Sequence, residues 1–206
     1  MSLTSASRTA MDTAADIIIT ADTVQGPGQG NWTYEDYATM PDDGKRYQIV
    51  DGVLFMSLAP NIGHQETVGE IFAYLRDHVK HAKLGKVYIA PLDVELNLKT
   101  VVQPDVLVIL YAHLERISDK RVIGAPDLVV EVASPGTTGF DRRQKQDAYA
   151  HAGVPEYWIV DPASHTVELL ILENAVYRSL GIFQGQQTLP STVVPGFFVQ
   201  VEQFFI

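Results

Sequence analysis

The 206-residue chain contains no cysteine, so disulfides, thiolate nucleophiles and cysteine-ligated zinc or iron–sulfur centres are excluded. No apolar run approaches the roughly 18 residues that a membrane-spanning helix needs. The N-terminus also lacks the basic-then-apolar order of a signal peptide. These absences lead to the expectation of a cytoplasmic chain without a membrane partner. Positive charge is scarce as well: 15 Lys and Arg stand against 25 Asp and Glu, a net charge of −10. Such a balance argues against nonspecific attraction to a phosphate backbone. The deficit is uneven, because residues 1–43 carry seven acids against one base, which leaves the rest at only −4. Nucleic acid therefore stays open as a partner.

Several active-site patterns are missing too. There is no H-E-x-x-H pair for zinc, and no dinucleotide fingerprint. Ser134 precedes Pro135 and Gly136 rather than sitting in a G-x-S-x-G elbow. The GPGQG run at 26–30 has neither the lysine nor the spacing of a phosphate loop.

What is present is a globular composition, 46% hydrophobic, long enough for one domain with a sizeable core. Residues 1–30 read as a flexible leader and 31–206 as the domain. Thr33 is the expected N-cap of a short helix. RYQIVDGVLFMS reads as a hairpin turning at Asp51-Gly52. From His64 to Ala82, Val68, Ile71, Phe72, Leu75 and Val79 form one apolar helical stripe, with Gly85 as the stop. VYIAPLDVELNL reads as a strand with Val94, Leu96 and Leu98 on one face and Asp93 on the other. Residues 104–110 and 127–133 are apolar on both faces, as central strands are. A helix over 141–152, stopped by Gly153, precedes strands at 156–161 and 166–172 and an aromatic tail that is either an edge strand or packed. The fold class is α/β: a mixed sheet flanked by two main helices, with an N-terminal hairpin.

Two carboxylates interrupt the apolar strands. Asp105 opens the first, and Glu131 lies inside the second, flanked by valines. Burying an ionised carboxylate costs several kcal/mol unless it is paired. Lys145 shares a helical stripe with Ala148, Tyr149 and Ala152, which aims it at the sheet rather than at water. Two carboxylates and an inward lysine point to a divalent-metal site, and hard oxygen ligands favour Mg²⁺ or Mn²⁺. A buried Glu131–Lys145 ion pair without metal is the simpler alternative. Asp93 is a candidate additional ligand. Asp141 is a candidate helix cap or partner for Lys145, and capping is the favoured role. Gln48, Gln103 and Tyr149 are candidates for lining the cleft. His64 stands alone at the mouth of the first long helix, where a structural role is the ordinary expectation.

The stretches RYQIVDG, PLDVEL through QPDVLV, PDLVVEVASP with its following D-x-x-x-K, and GVPEYWIVDP occur in an order that resembles the PD-(D/E)XK nuclease superfamily. More narrowly, residues 31–204 resemble a bacterial family of restriction-endonuclease-like proteins long catalogued as a domain of unknown function. The resemblance implies a restriction-endonuclease-like core and a Mg²⁺-dependent endonuclease acting on DNA. It makes Asp105 and Glu131 metal ligands, and Asp93 matches an acidic position of the family. The superfamily's lysine usually lies two residues past the glutamate, where this chain has Ala133; Lys145 takes its place from the next helix. Gln48 stands where a glutamate is expected. These departures sustain an alternative, a catalytically weakened nuclease fold serving as a nucleic-acid or protein-binding module. Cutting both strands of a duplex needs two active sites, so a homodimer is the expected assembly.

Overall fold

The structure is a computed structural model that describes residues 18–57, 59–133 and 141–205, with only the backbone of Ile18, Asp141 and Arg142. In chain order the elements are β1 (Ile18–Thr20), α1 (Tyr34–Ala38), β2 (Arg46–Val50), β3 (Val53–Ser57), α2 (Ile62–His81), β4 (Gly85–Ile89), β5 (Val94–Asn97) and β6 (Thr100–Val102). They continue with β7 (Val106–Leu110), β8 (Val122–Ile123), β9 (Leu128–Val132), α3 (Asp141–Ala152), β10 (Glu156–Asp161), β11 (Thr166–Glu173) and β12 (Val176–Gln184). The strands form two six-stranded mixed sheets, ordered β1-β3-β2-β6-β5-β8 and β12-β11-β10-β9-β7-β4. No helix among the described residues is long and apolar enough to cross a membrane.

The second sheet carries the main core. β9 runs antiparallel to β7 and parallel to β10. A parallel pair needs a crossover connection, and the segment containing α3 makes it. Alternation along β7 and β9 sends Val106, Val108 and Val130 to one face, where they pack with Val68, Ile71, Leu75 and Val79 of α2. Leu107, Ile109 and Val129 face the other way, toward α3 and the first sheet, with Ala148 and Tyr149. The apolar stripe read from the sequence of α2 is thus the face it buries. The C-terminal aromatics are packed rather than strand-forming: Phe197 and Phe204 are in the core, and only Phe198 stands out at 80% exposure.

Local signals explain most boundaries. Thr33 caps α1 in a capping box with Asp36. Asp51 and Gly52 both have positive φ, 49° and 77°, the conformation a tight two-residue hairpin turn requires. α2 ends at His81, and the positive φ of Lys83 (53°) turns the chain away before Gly85, which instead begins β4. Gly85 is required there for closeness, because an added Cβ would run into the Ile109 carbonyl.

Three expectations differ. The strand expected over VYIAPLDVELNL is two strands, β4 and β5, in different sheets, divided at Ala90-Pro91; proline cannot continue a hydrogen-bonded ladder. Leu98 consequently falls in the β5–β6 turn and is 76% exposed, while Val94 and Leu96 are buried. Part of the expected leader also joins the fold. β1 pairs with β3, and the N–H groups of Gly30 and Trp32 both donate to the Gly52 carbonyl. The earlier leader residues lie outside the described residues, as does Ser134-Pro135-Gly136.

Candidate functional site

β7 and β9 are adjacent with Val106 opposite Val130. The same register carried one residue further sets Asp105 across from Glu131, and directly opposed residues of an antiparallel pair project from the same face. Asp105 is 6% exposed. Its Oδ2 accepts from Val132 N–H at 2.8 Å, so the carboxylate ends the ladder where β7 begins. The same oxygen lies 3.3 Å from His64 Nε2. His64 reaches it from the first turn of α2, where Asn61 caps the helix by accepting from the His64 N–H.

Burial raises the Asp105 pKa, but it is outweighed by the His64 hydrogen bond and charge, the Val132 N–H and the charge of Lys145. The net shift is downward, and Asp105 is held ionised. Its other oxygen, Oδ1, accepts no hydrogen bond from the described residues.

Glu131 is held from α3. Lys145 Nζ lies 3.1 and 3.2 Å from its two oxygens, and the Tyr149 hydroxyl donates to Oε1 at 2.6 Å. Lys145 and Tyr149 are four residues apart, one helical turn, and both are buried. Burial and then the Glu131 charge push the Tyr149 phenol well above its ordinary range, so it stays a donor. The sequence expectation that Lys145 points inward matches this geometry.

The other candidates gather in a neighbouring cluster. Asp93 Oδ1 accepts from Gln103 Nε2 at 2.8 Å and from the Tyr37 hydroxyl at 3.1 Å. Gln103 N–H donates to Gln48 Oε1 at 3.1 Å, and Arg46 Nε donates to Gln103 Oε1 at 3.4 Å. Gln48 and Gln103 are both buried. Gln48 shares its face of β2 with Val50, which packs in the core layer containing Val129 and Tyr149. The cluster therefore joins the first centre through Pro104, the single residue between Gln103 and Asp105. Tyr37 and Arg46 carry no sequence signal for this role. His64 has one in retrospect: it follows an N-cap by three residues, which turns its side chain toward the strand ends. The Asp141 side chain lies outside the described residues.

Among the described residues, no three His, Asp or Glu side chains converge as a complete ligand set for a cation. Asp105 and Glu131 nonetheless fit one. Mg²⁺ is commonly held by one or two carboxylates, with water and substrate phosphate completing its octahedron.

The Uma2 family, described as "putative restriction endonuclease", matches residues 34–202. Among solved structures, the chain is similar to a protein from Anabaena variabilis described as "a putative nuclease belonging to DUF820". The TM-score is 0.69 at 18% identity, over 84% of this chain and 97% of that one. At that identity the likeness carries the fold alone. No curated protein matches.

Proposed function

This chain belongs to the Uma2 family, and from that premise we propose that it is a metal-dependent DNA endonuclease centred on Asp105, Glu131 and Lys145. The observation that carries the reading is the buried Lys145 held against Glu131, with Asp105 one residue before the Val106–Val130 pair of the neighbouring strand. Asp105 and Glu131 would hold Mg²⁺ or Mn²⁺. Such an ion supplies Lewis acidity toward a phosphate oxygen and a bound water of lowered pKa.

The chain's own groups prepare this. His64 and the Val132 N–H keep Asp105 charged and fix its Oδ2, leaving Oδ1 for a ligand. Tyr149 fixes Glu131. Lys145 carries a donor that can turn from Glu131 to the attacking water or to the phosphate oxygen on which negative charge grows. Water attacks phosphorus as the P–O bond to the leaving sugar breaks.

Supercoiled plasmid in Mg²⁺ tests the reading. Wild type is expected to nick it, and Asp105→Ala and Glu131→Ala to leave it intact. Lys145→Met should slow nicking by about 10²-fold or more, the scale of losing one donor aimed at developing charge. A variant that nicks as fast as wild type would remove its residue from the centre.

One observation favours a second reading, the weakened fold acting as a binding module. Both Glu131 oxygens are already engaged by Lys145, and one also by Tyr149. In that case wild type binds its partner equally well in EDTA and nicks nothing.

A further inference from the structure

A basic strip lies away from the Asp105–Glu131 centre. In a chain of net charge −10, residues 76–86 hold four bases, Arg76, Lys80, Lys83 and Lys86, against one acid, Asp77. All four bases are exposed, and among the described residues none forms an ion pair. Asp77 lies beside His81, at 3.8 Å. Arg76, Lys80 and Lys86 line a groove of about 230 Å³ between α2 and β4, together with Tyr88 and a floor of Val79 and Val87. β4 is the outermost strand of its sheet, so this side is not covered by another strand. The Arg76 guanidinium sits 5.8 Å from the centre of the Phe72 ring.

The groove is aligned with the centre. β4 pairs with β7 so that Ile89 is opposite Val106, and Ala90 N–H donates to the Asp105 carbonyl. Lys86, four residues before Ala90, is then about 13 Å from that point at the usual rise of a strand. α2 starts beside Asp105 at His64. Arg76 and Lys80 lie 12 and 16 residues further along, about 18 and 24 Å at the helical rise. The helix row leading from the centre to Arg76 is Gln65, Gly69 and Phe72, with no acid in it. Duplex DNA advances about 3.4 Å per nucleotide along its axis, so 13 to 24 Å spans roughly four to seven nucleotides.

We propose that this groove binds the phosphate backbone of duplex DNA roughly four to seven nucleotides from the bond that is cut. The inference rests on the nuclease reading of the Asp105–Glu131 centre. Cations on a floor of valine and tyrosine offer contacts to phosphate and none built to read base edges, so the contribution is independent of sequence. In an otherwise acidic molecule, the strip also selects the orientation in which the duplex approaches.

The test is fluorescence anisotropy of a labelled duplex of about 24 base pairs with the full chain in EDTA, across a NaCl series. Chelation keeps the carboxylate centre out of the measurement. Arg76→Ala/Lys80→Ala/Lys86→Ala is compared with Lys45→Ala/Lys120→Ala/Arg178→Ala, which removes equal charge elsewhere. The groove variant should bind at least about ten-fold more weakly. Its plot of log affinity against log salt should flatten by roughly 2.7, at about 0.9 per lost phosphate contact, while the control keeps the wild-type slope. In nicking assays the groove variant should show a raised KM with kcat retained. Equal binding and slope in the two triple variants, from a wild type that nicks plasmid, would overturn the groove and leave the nuclease reading standing. A wild type that neither binds duplex nor nicks would overturn both. A polyglutamate peptide binding this groove more tightly than the duplex would overturn DNA as its occupant.

Discussion

Asp105 shows how one residue meets opposing demands. Burial alone would neutralise it, yet His64, the Val132 N–H and Lys145 together keep its pKa below the ordinary range. A group depressed in the folded state contributes stability that is fully present above its unfolded pKa, about 4. That contribution is lost as pH falls from there through the folded value. Metal-free wild type should therefore lose more thermal stability than Asp105→Asn between pH 6 and pH 3, as circular-dichroism melts in EDTA would record. Equal losses would mean that Asp105 is not the charged partner described. In the sequence Asp105 alone is weak evidence, because Pro-Asp commonly opens a strand for turn reasons, and it gains weight only beside Glu131 and Lys145. The position of His64 at a helix start was legible in the sequence, but its pairing with Asp105 was not, because the contact joins a helix start to a strand start 41 residues away in the chain and depends on how α2 lies across the sheet.

At the scale of elements, the centre is a product of register. The register that sets Val106 against Val130, continued by one residue, is what puts Asp105 across from Glu131. A shift by one residue would turn Glu131 to the other face of the sheet, the one that packs on α2. β4 helps to hold β7 in place, and Gly85 permits their close approach at Ile109. Gly85→Ala should destabilise the fold by about 1 to 3 kcal/mol, the usual range for forced overpacking. Urea unfolding measures this, and a change below about 0.5 kcal/mol would show that β4 yields at no cost. Helix faces were legible: the stripes of α2 and α3 are those the sequence periodicity predicts. Strand allocation was less so. Nothing in VYIAPLDVELNL apart from Pro91 announces that β4 and β5 serve different sheets. β12 escaped notice because it is an edge strand with Ser179 and Gly181 in its middle and exposed apolar residues, Val176 and Ile182, near its two ends.

At the scale of the molecule, two mixed sheets and two long helices place two carboxylates where three layers meet, Asp105 buried and ionised and Glu131 paired with Lys145. α2 covers one face of the second sheet, while α3 and the first sheet cover the other. The family and the mixed architecture were legible because four motifs stand in order along the chain. The division of the strands into two sheets was not, because the first sheet is completed by β6 of three residues and β8 of two, too brief to show a period. The central claim is that this pair is a metal centre that cuts DNA. The most direct test is calorimetric titration of Mn²⁺ into wild type and Glu131→Ala, followed by plasmid nicking with the same samples. Binding by wild type that vanishes in the variant, with nicking that follows the metal, is the predicted result. A wild type that takes up no Mn²⁺ would contradict it, and would leave Glu131 and Lys145 as an ion pair that only holds α3 to the sheet.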